Sequence, residues 1–195
     1  MRRRACLAGA MLAAAAAVLP ASAAAPAWSL DELMQALARN KVSRATFVEK
    51  KYLALLDAPA PSSGELQFTA PDRLERRTLQ PRPETVVLQG DTLTLTRGSR
   101  AVTLRLQDHP ALVALTESVR ATLAGDRAAL ERHYRVRLEG SRARWAMTLT
   151  PTDPATRAFV LELRLEGSGG QVRTVETLQS DKDRSVMTIT PVPGT

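Results

Sequence analysis

The sequence predicts an α+β fold dominated by β structure: about eleven antiparallel strands curling into a barrel or half-barrel, with two or three helices covering its apolar hollow. Three observations carry this. From Thr46 onward, short runs of β-branched and apolar residues are punctuated by Pro, Gly, Asp and Ser, the texture of antiparallel strands joined by tight turns. No strand-helix-strand rhythm is present, so no parallel sheet is expected. Finally, two segments place apolar residues at helical spacing, and a long sheet leaves two edges and an apolar concave face that such helices would cover.

The first 23 residues are expected to be an export signal. Arg2, Arg3 and Arg4 form a positive start, an apolar run extends from Leu7 to Leu19, and Ala21-Ser22-Ala23 fits the small-residue cleavage pattern, placing the mature start at Ala24. The run is shorter than the roughly 20 residues needed to span a bilayer. Cys6, the single cysteine, falls within this segment, so neither a disulfide nor a thiolate is expected in a mature chain of residues 24–195. That length suits one domain with a sizeable core. The net charge of +7 falls to +4 without the three signal arginines, and the remaining basic residues are scattered. Nucleic-acid binding, which favours a clustered basic stripe with stacking aromatics, is not expected.

Ser29-Leu30-Asp31-Glu32 has the spacing of a capping box, which predicts a helix whose apolar stripe includes Leu30, Leu33, Met34 and Leu37. Strands follow at 46–56, 64–70, 73–79, 84–89, 92–97 and 100–106. Turns at Gln89-Gly90-Asp91 and Arg97-Gly98-Ser99 make the last of these a meander, and Ala58-Pro59-Ala60-Pro61-Ser62-Ser63 is expected to be a loop between the first two strands. Pro110 suits the first turn of a second helix, with Leu112, Leu115, Val119 and Leu123 at helical spacing up to Gly125. Asp126 can cap a further short turn through Leu130 and Glu131. Strands resume at 133–139, 143–150, 158–166, 171–179 and 185–190.

Catalytic chemistry finds little to use. The two histidines, His109 and His133, are isolated at element boundaries, no G-x-S-x-G elbow is present, and neither histidine has partners spaced as zinc ligands. Asp181-Lys182-Asp183 lacks the rest of a calcium loop and reads as a solvated turn. No catalytic residue, metal or cofactor is expected. The remaining signal is apolar alternation: Trp145, Met147 and Leu149 share one strand face, Phe159, Leu161, Leu163 and Leu165 another, and Leu66 with Phe68 a third. If Leu74 faces inward, Arg76 and Thr78 share its face.

The amphipathic helix is followed by Val42-Ser43-Arg44-Ala45-Thr46-Phe47-Val48-Glu49-Lys50-Lys51, then Gly64-Glu65-Leu66-Gln67-Phe68 and Ala70-Pro71-Asp72-Arg73-Leu74. Next come Gln80-Pro81 and Leu88-Gln89-Gly90-Asp91-Thr92-Leu93. In order and spacing this resembles LolA, the periplasmic outer-membrane lipoprotein carrier family, across nearly the whole mature chain. The resemblance implies a half-open antiparallel barrel with helices as a lid, soluble in the periplasm, whose hollow holds the acyl chains of a lipidated cargo passed from an inner-membrane donor protein to an outer-membrane acceptor protein. On that reading the cavity is lined by Leu66, Phe68, Leu74, Trp145, Met147, Phe159 and Leu161, and the lid by Leu33, Leu37, Leu112, Leu115 and Val119. Arg76 is expected to meet a carboxylate or phosphate of the cargo, and the protein to act as a monomer. The chain departs from the family pattern at Ala70, where a basic residue is usual, and at Leu74-Glu75-Arg76-Arg77-Thr78, where aromatics are usual. These departures point to a divergent paralogue serving a lipid or glycolipid export pathway rather than bulk lipoprotein sorting, so the expected cargo is a lipoprotein or a lipid or glycolipid. Two other classes make different predictions: a regulatory protein-binding module of the same barrel type would need a protein partner, and an enzyme would need a polar triad in the hollow.

Overall fold

The computed structural model describes residues 28–193; the expected export signal, with its cleavage site before Ala24, lies outside them. Eleven antiparallel strands form one sheet: β1 (Val42–Tyr52), β2 (Ala60–Thr69), β3 (Arg73–Gln80), β4 (Glu84–Gln89), β5 (Thr92–Arg97), β6 (Arg100–Arg105), β7 (Tyr134–Ser141), β8 (Arg144–Pro151), β9 (Val160–Ser168), β10 (Gln171–Gln179) and β11 (Arg184–Pro191). Their spatial order is β6-β5-β4-β3-β2-β1-β11-β10-β9-β8-β7, so β6 and β7 do not pair with each other and the barrel is half open. Four helices accompany the sheet: α1 (Leu30–Ala38), α2 (Pro110–Ala124), α3 (Arg127–His133) and the single turn α4 (Pro154–Arg157).

The helix boundaries follow local chemistry. Ser29 and Glu32 complete the capping box, with the Ser29 backbone N–H donating to Glu32 Oε2 at 2.8 Å and the Glu32 N–H to Ser29 Oγ at 3.2 Å. The Ser29 backbone N–H, together with the Ser29 hydroxyl that donates to the same Oε2 at 2.8 Å, holds the Glu32 carboxyl below its ordinary pKa. α2 ends at Gly125, which adopts φ +70; a side chain there would be strained and would collide with the Met34 carbonyl, so the glycine lets α1 and α2 meet. Asp126 then caps α3 by accepting from the Ala129 N–H at 2.9 Å.

Three expectations need correction. β1 begins four residues earlier than predicted and ends at Tyr52, because residues 42–45 pair with β2 rather than lying outside the sheet. The Pro-rich stretch is not wholly a loop: Pro61 pairs with Lys50 inside β2. It is tolerated because β3 reaches only as far as the Ser63–Gln80 pair, leaving Pro61 without a β3 neighbour that would need its missing N–H. The strand predicted at 158 starts at Val160, since Asp153 caps α4 through the Thr156 N–H at 2.7 Å and uses residues 154–157 as a helical turn.

The helices pack mainly on the β7–β9 half of the concave face. There Leu33, Met34 and Leu37 of α1, Ala114 and Ala121 of α2 and Leu130 of α3 bury against Trp145, Met147, Leu149, Leu163 and Leu165. Trp145 is fully buried and spends its one polar group on the Gly169 carbonyl at 2.9 Å.

Candidate functional site

Where the helices pass from the β7–β9 half towards the middle of the sheet, side chains cease to meet and a cavity of about 340 Å³ opens. Its cause lies in the central strand. The inward positions of β1 run Ser43, Ala45, Phe47, Glu49, so the strand presents two small residues before two large ones. Register places Ala45 opposite Leu66, and Leu66 opposite Arg76; the next row sets Ser43 beside Phe68, then Leu74 and Leu88. Leu66, Phe68 and Leu74 therefore form one wall. The other wall comes from Leu163, Leu165, Val175, Met187 and Ile189, and the roof from Leu37 of α1 and Ser118, Val119, Thr122 and Leu123 of α2.

The two polar roof residues are satisfied by their own helix. Ser118 Oγ donates to the Leu115 carbonyl at 2.7 Å, and Thr122 Oγ1 to the Ser118 carbonyl at 2.6 Å. They present small, neutral surface to the hollow. Arg120 anchors α2 to the β4–β5 turn by donating from Nη1 to the Gly90 carbonyl at 3.0 Å.

One ion pair stands at the cavity wall. Arg76 crosses the Phe47–Gly64–Thr78 row, its guanidinium carbon 4.6 Å from the centre of the Phe47 ring, and Nη2 donates to Glu49 Oε2 at 2.6 Å. Glu49 is 4% exposed. The same oxygen accepts from Ser62 Oγ at 3.2 Å and lies 4.0 Å from Lys51 Nζ. Arg76 Nε is buried, with no hydrogen-bond acceptor among the described residues. Alternation correctly puts Leu74, Arg76 and Thr78 on one face, and the carboxylate that Arg76 meets here is the chain's own Glu49.

Of the residues expected to line the cavity, Leu66, Phe68 and Leu74 do so. Trp145 and Met147 do not: they face inward but are consumed by the core beneath α1. Phe159 and Leu161 also stand apart, 62% and 42% exposed. The alternation that included them breaks at a bulge, where β10 residues Leu178 and Gln179 pair with Glu162 and Val160 and skip Leu161, so Val160 takes the inward position. Among the expected lid residues, Leu37 and Val119 face the hollow, Leu33 is core, and Leu112 and Leu115 lie away from the lining. Sequence reasoning missed Ser43, Ala45, Met187, Ile189 and Glu49. Their signal was present as alternation in β1 and β11, although small and charged residues do not look like a cavity wall.

Among the described residues the lining carries Arg44 and Arg76 but no histidine or carboxylate. His109 sits at the start of α2 and His133 at the end of α3, outside it. Among the described residues no three His, Asp or Glu side chains converge as a metal-ligand set, and no helix is long and apolar enough to cross a membrane.

The sequence matches the family described as outer membrane lipoprotein carrier protein LolA-like over residues 21–190. No curated protein matches it. Solved structures similar to it include a LolA superfamily protein from Nitrosomonas europaea, at 13% identity and a TM-score of 0.42, covering 84% of this chain and 92% of that one. A second is the MucA/MucB complex of Pseudomonas aeruginosa, at 18% identity and a TM-score of 0.47, covering 82% of this chain and 55% of the matched one. A third is a putative outer membrane lipoprotein-sorting protein domain from Vibrio parahaemolyticus, at 10% identity and a TM-score of 0.42, covering 85% of this chain and 93% of that one.

Proposed function

The chain belongs to the LolA-like family of outer membrane lipoprotein carriers, and on that premise we propose that it is a periplasmic carrier that holds the acyl chains of a lipidated cargo in its cavity while the cargo passes between inner and outer membrane. The observation that carries this reading is the hollow itself: apolar on both walls, roofed by helices, and open because β1 supplies Ser43 and Ala45 where larger residues would fill it. Each buried methylene is worth about 0.8 kcal/mol, so a lipid chain gains several kcal/mol by entering. A lining without histidine or carboxylate has no general base to offer, which favours binding over reaction. The cargo is a lipoprotein, lipid or glycolipid, and a donor at the inner membrane and an acceptor at the outer membrane complete the route.

Native mass spectrometry of the protein purified gently from the periplasm, followed by organic extraction, tests the proposal. The expected result is a bound acylated molecule that is lost in Leu66→Asp and Phe68→Asp variants that remain folded. A clean apo mass that stays clean when acylated lipids are offered would overturn the carrier reading and favour a protein-binding module of the same fold.

A further inference from the structure

Large apolar side chains that neither the core nor the cavity uses gather at one end of the sheet. Tyr52 pairs with Arg184, Arg184 with Leu178, and Leu178 with Glu162, so these four form a row about 14 Å wide across β1, β11, β10 and β9. Paired residues share a face of a sheet, and alternation from Phe47 and Glu49 puts Tyr52 and its row on the side turned away from the cavity. The bulge sets Leu161 beside Glu162, and Phe159 stands at the same corner, its carbonyl accepting from the Ser180 N–H at 3.1 Å. The loop that follows Tyr52 is fixed there too: the Leu56 N–H closes a turn on the Leu53 carbonyl at 2.9 Å, and the Ala54 N–H donates to Asp183 Oδ1 at 2.8 Å. Leu55, at the tip of this loop, is 97% exposed, and Tyr52, Leu56, Phe159, Leu161 and Leu178 are exposed as well.

Single apolar residues on a surface are ordinary, whereas a contiguous cluster rimmed by polar residues marks a contact. The rim says with what. Its exposed charges are Lys50, Lys51, Arg157 and Lys182 against Asp57 and Asp181. The other charges are engaged or half-buried: Arg184 lies 4.5 Å from the centre of the Tyr52 ring and pairs with Glu176, Asp183 holds the Ala54 N–H, Arg76 holds the Glu49 carboxylate beside Lys51, and Glu162 is half-buried in the row. The exposed surplus is therefore positive. A projecting pair of leucines with a tyrosine at its base and ammonium groups around it matches the layers of a bilayer surface, hydrocarbon innermost, then amphipathic rings, then cations at the lipid phosphates. We propose that this end of the barrel is a docking face for an anionic lipid bilayer. Leu55, Leu56 and Phe159 enter the edge of the hydrocarbon, Tyr52 sits at headgroup level, and Lys50, Arg157 and Lys182 meet the phosphates. The face occupies the opposite ends of β1 and β11 from Ser43 and Pro191, which line the cavity, so this proposal stands apart from the carrier reading.

Co-sedimentation with sucrose-loaded vesicles tests it, using the chain of residues 24–195 so that the apolar run of the expected export signal does not bind lipid by itself. One set of vesicles mixes phosphatidylethanolamine with phosphatidylglycerol, and the other is phosphatidylcholine alone. The wild type should sediment with the anionic vesicles, and Leu55→Asp combined with Leu56→Asp should weaken that binding about tenfold or more, the least expected when two leucine side chains are withdrawn from hydrocarbon. Phe159→Ser provides a second variant should the loop pair fail to fold, with a loss of about fivefold or more. Lys50→Gln and Lys182→Gln should each weaken binding to the anionic vesicles about fivefold and leave binding to phosphatidylcholine unchanged. Leu66→Asp, on the cavity wall, should sediment as the wild type does, which separates docking from uptake of lipid into the hollow. A wild type that stays in solution with both kinds of vesicle, or binding unmoved by the substitutions at Leu55, Leu56 and Phe159, overturns the proposal. So does a dimer that those substitutions dissociate, which would assign the face to a second copy of the chain, or binding lost in Leu66→Asp, which would place the lipid contact at the cavity.

Discussion

Gly64 is the residue on which the polar wall of the cavity depends, and replacing it with alanine gives a sharp test of the geometry. The glycine pairs with Phe47 on one side and Thr78 on the other, at a point where the β2–β3 register shifts. A Cβ there would drive into the Arg77 carbonyl oxygen and stand 2.9 Å from Phe47 Cε1. A flexible side chain could retreat, but a backbone carbonyl within the ladder moves only if the strands part. Overpacking of this kind costs about 1–3 kcal/mol, and with backbone as the obstacle about 3 kcal/mol is expected. For a domain of this size that lowers Tm by about 6–12 °C. Thermal melts followed by circular dichroism measure it, with Ser63→Ala, one residue away, as a control expected to stay within about 0.5 kcal/mol. Because Phe47 carries the Arg76 guanidinium on its ring, Gly64→Ala should also weaken acyl binding in the fraction that folds. A Gly64→Ala protein as stable as the wild type would refute the close approach and with it this account of how Arg76 reaches Glu49.

Met147 and Leu66 both point into the concave face, but Met147 is fully buried in the core and Leu66 only half-buried at the cavity. Met147→Ala should therefore cost about 2–5 kcal/mol in urea denaturation, while Leu66→Ala, which enlarges an existing hollow, should cost less than about 1.5 kcal/mol; equal costs would mean that the hollow is filled in solution. Acid should also expose the cap of α4, since the Thr156 N–H holds the Asp153 carboxyl below its ordinary pKa. That contribution is present above the ordinary aspartate value and is lost as pH falls through the lowered folded value, so Asp153→Asn should flatten the acid limb of the stability curve below about pH 4, and an unchanged limb would assign it to other carboxylates.

Period-two and period-3.6 patterns in the sequence located all eleven strands and the three longer helices, because each such element buries one face and its composition records which. Boundaries were less legible where two signals competed. Pro61 argues against a strand in isolation, and only the early end of β3 shows why it is allowed. Phe159 and Leu161 continue an alternation by composition, yet the bulge at Leu161 moves the inward position to Val160, and a bulge has no compositional mark of its own. The cavity was half legible. Leu66, Phe68 and Leu74 follow from alternation, but Trp145 and Met147 show the same pattern and are core, since alternation identifies the inward face without saying whether a helix lies against it.

The helices divide the concave face unequally, and on the carrier reading proposed above that division bears on release. Over β7–β9, α1, α2 and α3 meet Trp145, Met147 and Leu149 in close contact, so separating them there would expose a large apolar core. Over β1–β3 the same α2 faces a void, and its inner surface there is built from Ser118, Val119, Thr122 and Leu123, the two hydroxyls bonding to the helix's own backbone. Moving α2 away from that wall breaks neither the Ser118 nor the Thr122 hydroxyl's bond to the helix backbone. What resists the movement is the Arg120 bond to Gly90 at the β4–β5 turn and the packing at Gly125, where α1 and α2 meet closely. On the carrier reading, α2 would open by tilting about its packed side over β7–β9 once the Arg120 bond to Gly90 is released, uncovering the wall of Leu66, Phe68, Leu74 and Arg76. If the chain is a carrier, the small residues Ser43 and Ala45 that leave this wall open also mark where a bound chain would enter and leave.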